Sequence, residues 1–158
     1  MPVIILPMHQ EDIDAVARIH SQQFPRQRDS LGWVSSNFAA FPRIMMYVAR
    51  DEKDKVIGYV QWIHKSGFRK ESVIELEQIA VMKKEQGMGI GSKLIDYSLG
   101  SIKGFLDDTG STLKAILVST RTDNEAQNLY RKSLGAEPVA VIKDLYSHDE
   151  LIMIARGV

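Results

Sequence analysis

A chain of 158 residues with no cysteine and with 20 basic against 20 acidic side chains sets bounds before any motif is read. Its length suits one domain over 1–158, able to bury roughly two thirds of its unfolded surface without a disulfide or structural metal. The missing thiol excludes disulfides, thiolate nucleophiles, iron–sulfur clusters and cysteine-rich zinc sites, and the balanced charge provides no overall field for a polyanion.

In chain order, Val3 to Leu6 is a short β candidate whose apolar run is cut by Pro7. It lacks the basic flank of a signal peptide, and no apolar run nears the ~20 residues that cross a bilayer. A cytoplasmic location with no membrane partner is therefore expected. Ile13, Val16, Ala17 and His20 fall at helical spacing, which predicts a helix over about Glu11 to Gln22. Leu31, Val34 and Phe38 suggest a second short helix before Pro42.

Two strands, Ile44 to Ala49 and Val56 to His64, flank the polar turn Asp51 to Lys55. Ser72 to Met82 is a longer strand candidate with a change of phase: Glu75 and Glu77 share the parity of Ile79 and Val81. A β-bulge near Gln78 would resolve it. Ile90, Leu94, Ile95, Leu99, Ile102, Phe105 and Leu106 then form a strong helical stripe that ends before the Asp107 to Gly110 turn. Leu113 to Ser119 reads as a strand, and about Asn124 to Ser133 as a helix closed by Leu134-Gly135. Val139 to Leu145 and Leu151 to Ala155 complete the order, joined by the polar loop Tyr146 to Glu150. This is an α/β chain, expected to form a mixed sheet with helices on its faces.

Gln86-Gly87-Met88-Gly89-Ile90-Gly91 lies between a predicted strand and a predicted helix. Glycines let the backbone turn sharply and approach a ligand, and a helix start offers N–H groups and a dipole to a pyrophosphate. A turn that merely lets strand and helix pack is the competing reading. The spacing and the mid-chain position fit neither a dinucleotide-binding fingerprint nor a P-loop.

The segment Ile79-Ala80-Val81 through Gln86-Gly87-Met88-Gly89-Ile90-Gly91 resembles the central signature of the GCN5-related N-acetyltransferase (GNAT) superfamily, with Gln86, Gly89 and Gly91 at its marked positions. Asn124-Glu125-Ala126-Gln127-Asn128-Leu129-Tyr130, followed by Leu134-Gly135, resembles a second family segment, with Ala136 where an aromatic is usual. The resemblance implies a mixed, mostly antiparallel sheet of six or seven strands flanked by about four helices. It also implies acetyl-coenzyme A as acyl donor and coenzyme A as product. Pantetheine would then lie along Ile79, Ala80 and Val81, and the pyrophosphate on Gln86 to Ser92. Lys83, Lys84, Lys93 and Arg121 are candidates for added charge about the phosphates, with a solvated surface role as the other reading. Asn124 matches a residue that contacts the cofactor or orders the local backbone.

By the same resemblance Tyr130 is the candidate acid for the departing thiolate; its ordinary pKa near 10 keeps it protonated at neutral pH. Packing a helix against the sheet is its alternative role. Glu75 and Glu77 are equal candidates for the base that takes the amine's proton, beside the reading of a solvated pair. The acceptor is a peptide or protein amino group, or a small-molecule amine, expected between the Phe24 to Phe38 region and the Tyr146 to Glu150 loop. Ile19-His20-Ser21-Gln22-Gln23-Phe24-Pro25 and Asp144-Leu145-Tyr146 resemble, more weakly, segments of the branch that acetylates protein and peptide amino termini. A non-catalytic coenzyme A sensor or assembly protein on the same fold is the second functional reading. His9, His20, His64 and His148 have no metal-ligand spacing, and His20 reads as a packed core histidine. No metal and no nucleic-acid partner is expected, and a homodimer is a family-based expectation.

Overall fold

The computed structural model describes residues 2–158. Its strands are β1 (Ile4–Pro7), β2 (Ile44–Arg50), β3 (Val56–Lys65), β4 (Glu71–Val81), β5 (Thr112–Arg121), β6 (Glu137–Ile142) and β7 (Glu150–Arg156). The α-helices are α1 (Ile13–Gln23), α2 (Ser30–Ala39), α3 (Ile90–Asp108) and α4 (Ala126–Leu134), with short 3-10 turns at Gln10–Asp12 and Lys83–Glu85. The strands form one seven-stranded sheet ordered β1-β2-β3-β4-β5-β7-β6. The β4–β5 pair is parallel, whereas β1–β2, β5–β7 and β6–β7 are antiparallel. This is the mixed α/β sheet with four flanking helices that the resemblance implied.

The chain divides into two compact units, Met1–Trp62 with Gln78–Leu99, and Ile63–Glu77 with Gly100–Val158. In the first, β2 is buried along nearly its whole length, and the β3 residues Val56 to Trp62 are all buried. Trp62 donates its indole N–H to Ser98 Oγ at 2.8 Å, which satisfies a polar atom that burial would otherwise leave costly. The buried residues Ile90, Leu94 and Ile95 start the stripe of α3, each side chain contributing about 1.5–3 kcal/mol relative to exposure. In the second unit, Gly110 in the left-handed region (φ 77°) ends α3, while Ser111 N–H returns to the Leu106 carbonyl.

Four expectations shift against this structure. Burial along β4 alternates without interruption from Ser72 to Val81, so no change of phase occurs at Gln78. The register irregularity in the β4–β5 pair falls between Ser72 and Val73 instead. Gln78 itself occupies the buried face, and Ile79 and Val81 share the half-exposed face with Glu75 and Glu77. The predicted strand Val139 to Leu145 is Glu137–Ile142, because the chain turns at Asp144 with φ 52°. Finally, α4 starts at Ala126 rather than near Asn124, and α3 runs on to Asp108. Among the described residues no helix is long and apolar enough to cross a membrane.

Candidate functional site

The glycine segment belongs to the first unit. Met82 N–H bonds the Ile57 carbonyl at 2.8 Å, and the 3-10 turn then carries the chain to Gln86. Gln86 donates from its side-chain amide to the Val81 carbonyl at 2.9 Å and to Gln23 Oε1 at 3.1 Å. One side chain thus ties the loop to the end of β4 and to α1. Gly87 and Gly89 have φ of 82° and 78°, where a β-carbon is disfavoured.

A β-carbon built on either glycine meets nothing within 4 Å. Tight packing of strand against helix is therefore not what these two positions require. They require the turn, and they leave room for a ligand to reach the backbone. The first helical bond of α3 runs from Lys93 N–H to the Gly89 carbonyl at 3.1 Å. The N–H groups of Ile90 and Gly91 precede it, at the positive end of a 19-residue helix. Ser92 lies in the same first turn. Lys83, Lys84 and Lys93 are exposed around this segment. The arrangement fits a diphosphate.

The same unit holds a polar network that sequence reasoning missed. Gln78 accepts from Trp33 Nε1–H at 3.1 Å and from the Tyr59 hydroxyl at 3.0 Å, and donates to Gln27 Oε1 at 3.1 Å. Gln27 Oε1 is also 2.7 Å from His20 Nε2, and His20 Nδ1 is 2.7 Å from Ser30 Oγ. Because Gln27 Oε1 accepts, His20 Nε2 is the donor in that bond. His20 is fully buried and hydrogen-bonded, as its place on the α1 stripe suggested. Burial raises the Tyr59 hydroxyl well above its ordinary pKa, which keeps it a donor to Gln78. Together these bonds fix the 24–29 connection, including exposed Arg26 and Arg28, to α1 and β4. The signal in the sequence was Gln78 itself, a polar residue at a buried parity.

In the second unit, β4 and β5 pair from Glu71 with Thr112 to Leu76 with Val118, and the ladder goes no further although both strands continue. Register sets Glu75 beside Leu117 and Leu117 beside Ile154, all half-exposed on one face. Glu75 is ion-paired with Lys65 at 3.3 Å. Glu77 follows on the same face, two residues on. Tyr130 is 7% exposed, and desolvation pushes its hydroxyl up to about 12.

Asn124 accepts from Ala126 N–H at 2.9 Å, so its side chain orders the start of α4. Gly135, in the left-handed region, closes that helix through Gly135 N–H to Arg131 and Ala136 N–H to Tyr130. Arg121 donates to Asp123 through two bonds of 3.1 and 2.9 Å. Tyr146 is 74% exposed on its loop. No group of three or more His, Asp or Glu suited to a metal occurs among the described residues.

Residues 42–133 match the family model described as an acetyltransferase (GNAT) domain. No sequence among curated proteins matches the chain. Solved structures share its fold at low identity. The NatC complex bound to Gag peptide and CoA aligns with a TM-score of 0.81 at 15% identity, covering 100% of both chains. Ard1 from Thermoplasma volcanium aligns at 0.78 and 19% identity, covering 100% of this chain and 99% of the other. An aminoglycoside 6'-N-acetyltransferase complexed with coenzyme A aligns at 0.76 and 15%, covering 98% and 97%.

Proposed function

The chain belongs to the GNAT acetyltransferase family, and from that membership we propose that it transfers an acetyl group from acetyl-coenzyme A to an amine in a single direct step. The observation that carries this reading is the pair Gly87 and Gly89, both at positive φ with empty space at the β-carbon, leading into the long helix α3. Backbone N–H groups from Gly87 to Ser92 hold the pyrophosphate, and the end of β4 from Ile79 to Val81, with Ile79 and Val81 half-exposed and Ala80 buried, takes the pantetheine arm. When bound, acetyl-coenzyme A supplies an activated acetyl thioester. The absence of cysteine supports direct transfer, since no thiol is available to carry the acetyl group between substrates.

Glu77 or Glu75 accepts the proton of the incoming amine, directly or through one water, and Glu75 is also ion-paired with Lys65. Tyr130 keeps its phenolic proton at every pH below about 12. An ordinary thiol has a pKa of about 8.5, so complete transfer from Tyr130 to a thiolate is uphill by a factor of roughly 10³. Its hydroxyl therefore acts first as a hydrogen-bond donor that steadies charge on the departing sulfur. The main-chain N–H near Ile79 serves the developing oxyanion.

The acceptor is a peptide or protein amine, or a small-molecule amine. Purified protein incubated with acetyl-coenzyme A and a mixed panel of peptides and small amines gives a product heavier by one acetyl group. Retained coenzyme A binding with no transfer to any amine identifies a non-catalytic binder instead. A protein that does not bind coenzyme A overturns both readings.

A further inference from the structure

The β3–β4 connection of the second unit carries a charged feature that the acyl-donor chemistry does not use. Lys65, Arg69, Lys70 and Lys114, with Glu71 as the one acid, line an open groove of about 530 Å³. In a chain of zero net charge this is a local excess of positive charge. Lys65 is paired with Glu75, and Arg69 gives its Nε–H to the Ser66 carbonyl at 2.9 Å. Lys70 and Lys114 make no ion pair among the described residues and are exposed. The register of β5 with β7 adds Arg156, opposite Ala115, at the same end of the sheet.

The groove is floored by half-exposed Val73 and Leu117. Val73 shares the face of β4 that carries Glu75 and Glu77. That face therefore has a polarity: carboxylates towards Glu77, cations beyond Val73. Four residue steps along the β-strand lead from Val73 to Glu77, a span of about 13 Å at ~3.3 Å per residue. An extended peptide with a cationic amino terminus and acidic side chains four or five residues later complements both ends. A polyphosphate chain complements only one, and would meet Glu71, Glu75 and Glu77 along this face. Among the described residues no aromatic side chain lines the groove for base stacking.

We propose that the groove of Lys65, Arg69, Lys70 and Lys114 binds the acidic side chains of an acceptor polypeptide, about four to five residues from its acetylated amino terminus. This rests on the transfer reading above and narrows its acceptor to acidic peptides.

The test uses full-length protein and peptides of equal length, with Glu or Gln at positions four to six. The Glu peptides have a KM about tenfold lower at low salt, from two or three partly screened charge pairs. The difference shrinks as salt rises. In the double variant Lys70→Glu, Lys114→Glu it disappears, while kcat and KM for the Gln peptide stay unchanged. The peptide comparison in the unaltered protein stands even if that variant fails to fold.

Equal KM for Glu and Gln peptides overturns the groove assignment and leaves acetyl transfer intact. Conversely, suppose neither peptides nor small amines are acetylated, yet a fluorescent Glu peptide binds in anisotropy and is released by the double charge reversal. The groove then binds acidic peptide, but the transfer reading and the peptide's role as acceptor are both overturned. Equally tight binding of a single-stranded oligonucleotide, lost in the same variant, assigns the groove to nucleic acid and overturns the proposal.

Discussion

Substituting Gly89→Ala separates the cost of the turn from the cost to the ligand. At φ 78° an L-residue costs about 1–2 kcal/mol, offset in part by the ~0.4–1 kcal/mol that Ala gains from a less flexible unfolded chain. The new β-carbon meets no protein atom within 4 Å, so no packing penalty adds to this. The net loss is about 0–1.6 kcal/mol, which lowers Tm by up to roughly 6 °C for a chain of this size. A phosphate oxygen held by the loop N–H groups must come within about 3 Å of nitrogen, and a neighbouring methyl obstructs that approach. Losing one charge-assisted bond worth about 1.5–3 kcal/mol weakens coenzyme A binding by roughly ten- to a hundredfold.

Gly104→Ala is the matched control. It adds the same methyl to equally empty surroundings, but in the interior of α3 and outside the left-handed region. There Ala stabilises by about 0.4–1 kcal/mol and leaves coenzyme A affinity unchanged. Thermal melts of the free proteins and calorimetric titration with coenzyme A read the two effects separately. If Gly89→Ala lowers Tm as described yet binds coenzyme A as tightly as the parent, the loop does not hold the pyrophosphate and the reasoning fails.

Tyr130→Phe lowers kcat by about 10²–10³ with coenzyme A affinity retained, and the parent enzyme shows no alkaline loss from Tyr130 below its raised pKa of about 12; unchanged turnover removes it from the mechanism. Of Glu77→Gln and Glu75→Gln, the variant that abolishes the acid limb of the pH–rate profile identifies the base, and a limb unchanged in both removes the pair from the mechanism. Gln78→Leu orphans the Trp33 and Tyr59 donors and costs about 2–4 kcal/mol in denaturant unfolding, and a loss under 1 kcal/mol shows that the network readily repacks. Burial holds the His64 pKa below its ordinary 6.5, and its Nδ1 has no hydrogen-bond partner. The stability from neutral His64 is therefore complete above pH 6.5 and is lost as pH falls towards the lowered folded-state value, because the unfolded chain takes up the proton first. His64→Phe flattens that part of the stability profile, and an identical acid slope in both proteins refutes the assignment.

What the sequence made legible is what short-range pattern encodes. The stripe from Ile90 to Leu106 required one face of a helix to be apolar, and α3 buries Ile90, Leu94, Ile95, Ile102 and Leu106. The Asp51–Lys55 turn is held by Asp51 Oδ1 accepting from Lys53 and Lys55 N–H, bonds confined to four residues. Gly135 closes α4 for the same local reason. Gln78 was misjudged because its partners Gln27, Trp33 and Tyr59 lie 51, 45 and 19 positions away. Period-two reasoning assumes that the buried face is the apolar one. Here a glutamine with three side-chain hydrogen bonds takes the buried parity, and the half-exposed parity carries both glutamates and the aliphatic Ile79 and Val81.

That inversion bears directly on the chemistry. A strand face given wholly to the core would bury Glu75 and Glu77 at the cost of their charge. A face left half-exposed leaves the carboxylates in contact with water and carries Ile79 and Val81 beside them. Substituting Gln78 by an apolar residue is thus expected to injure catalysis through the position of β4 as well as stability, with kcat falling more than coenzyme A affinity. The Gln86 to Val81 bond still ties the glycine loop to the strand end when Gln78 is removed. A Gln78→Leu protein with full kcat and only a lowered Tm confines the network to folding and removes it from the control of the reacting groups.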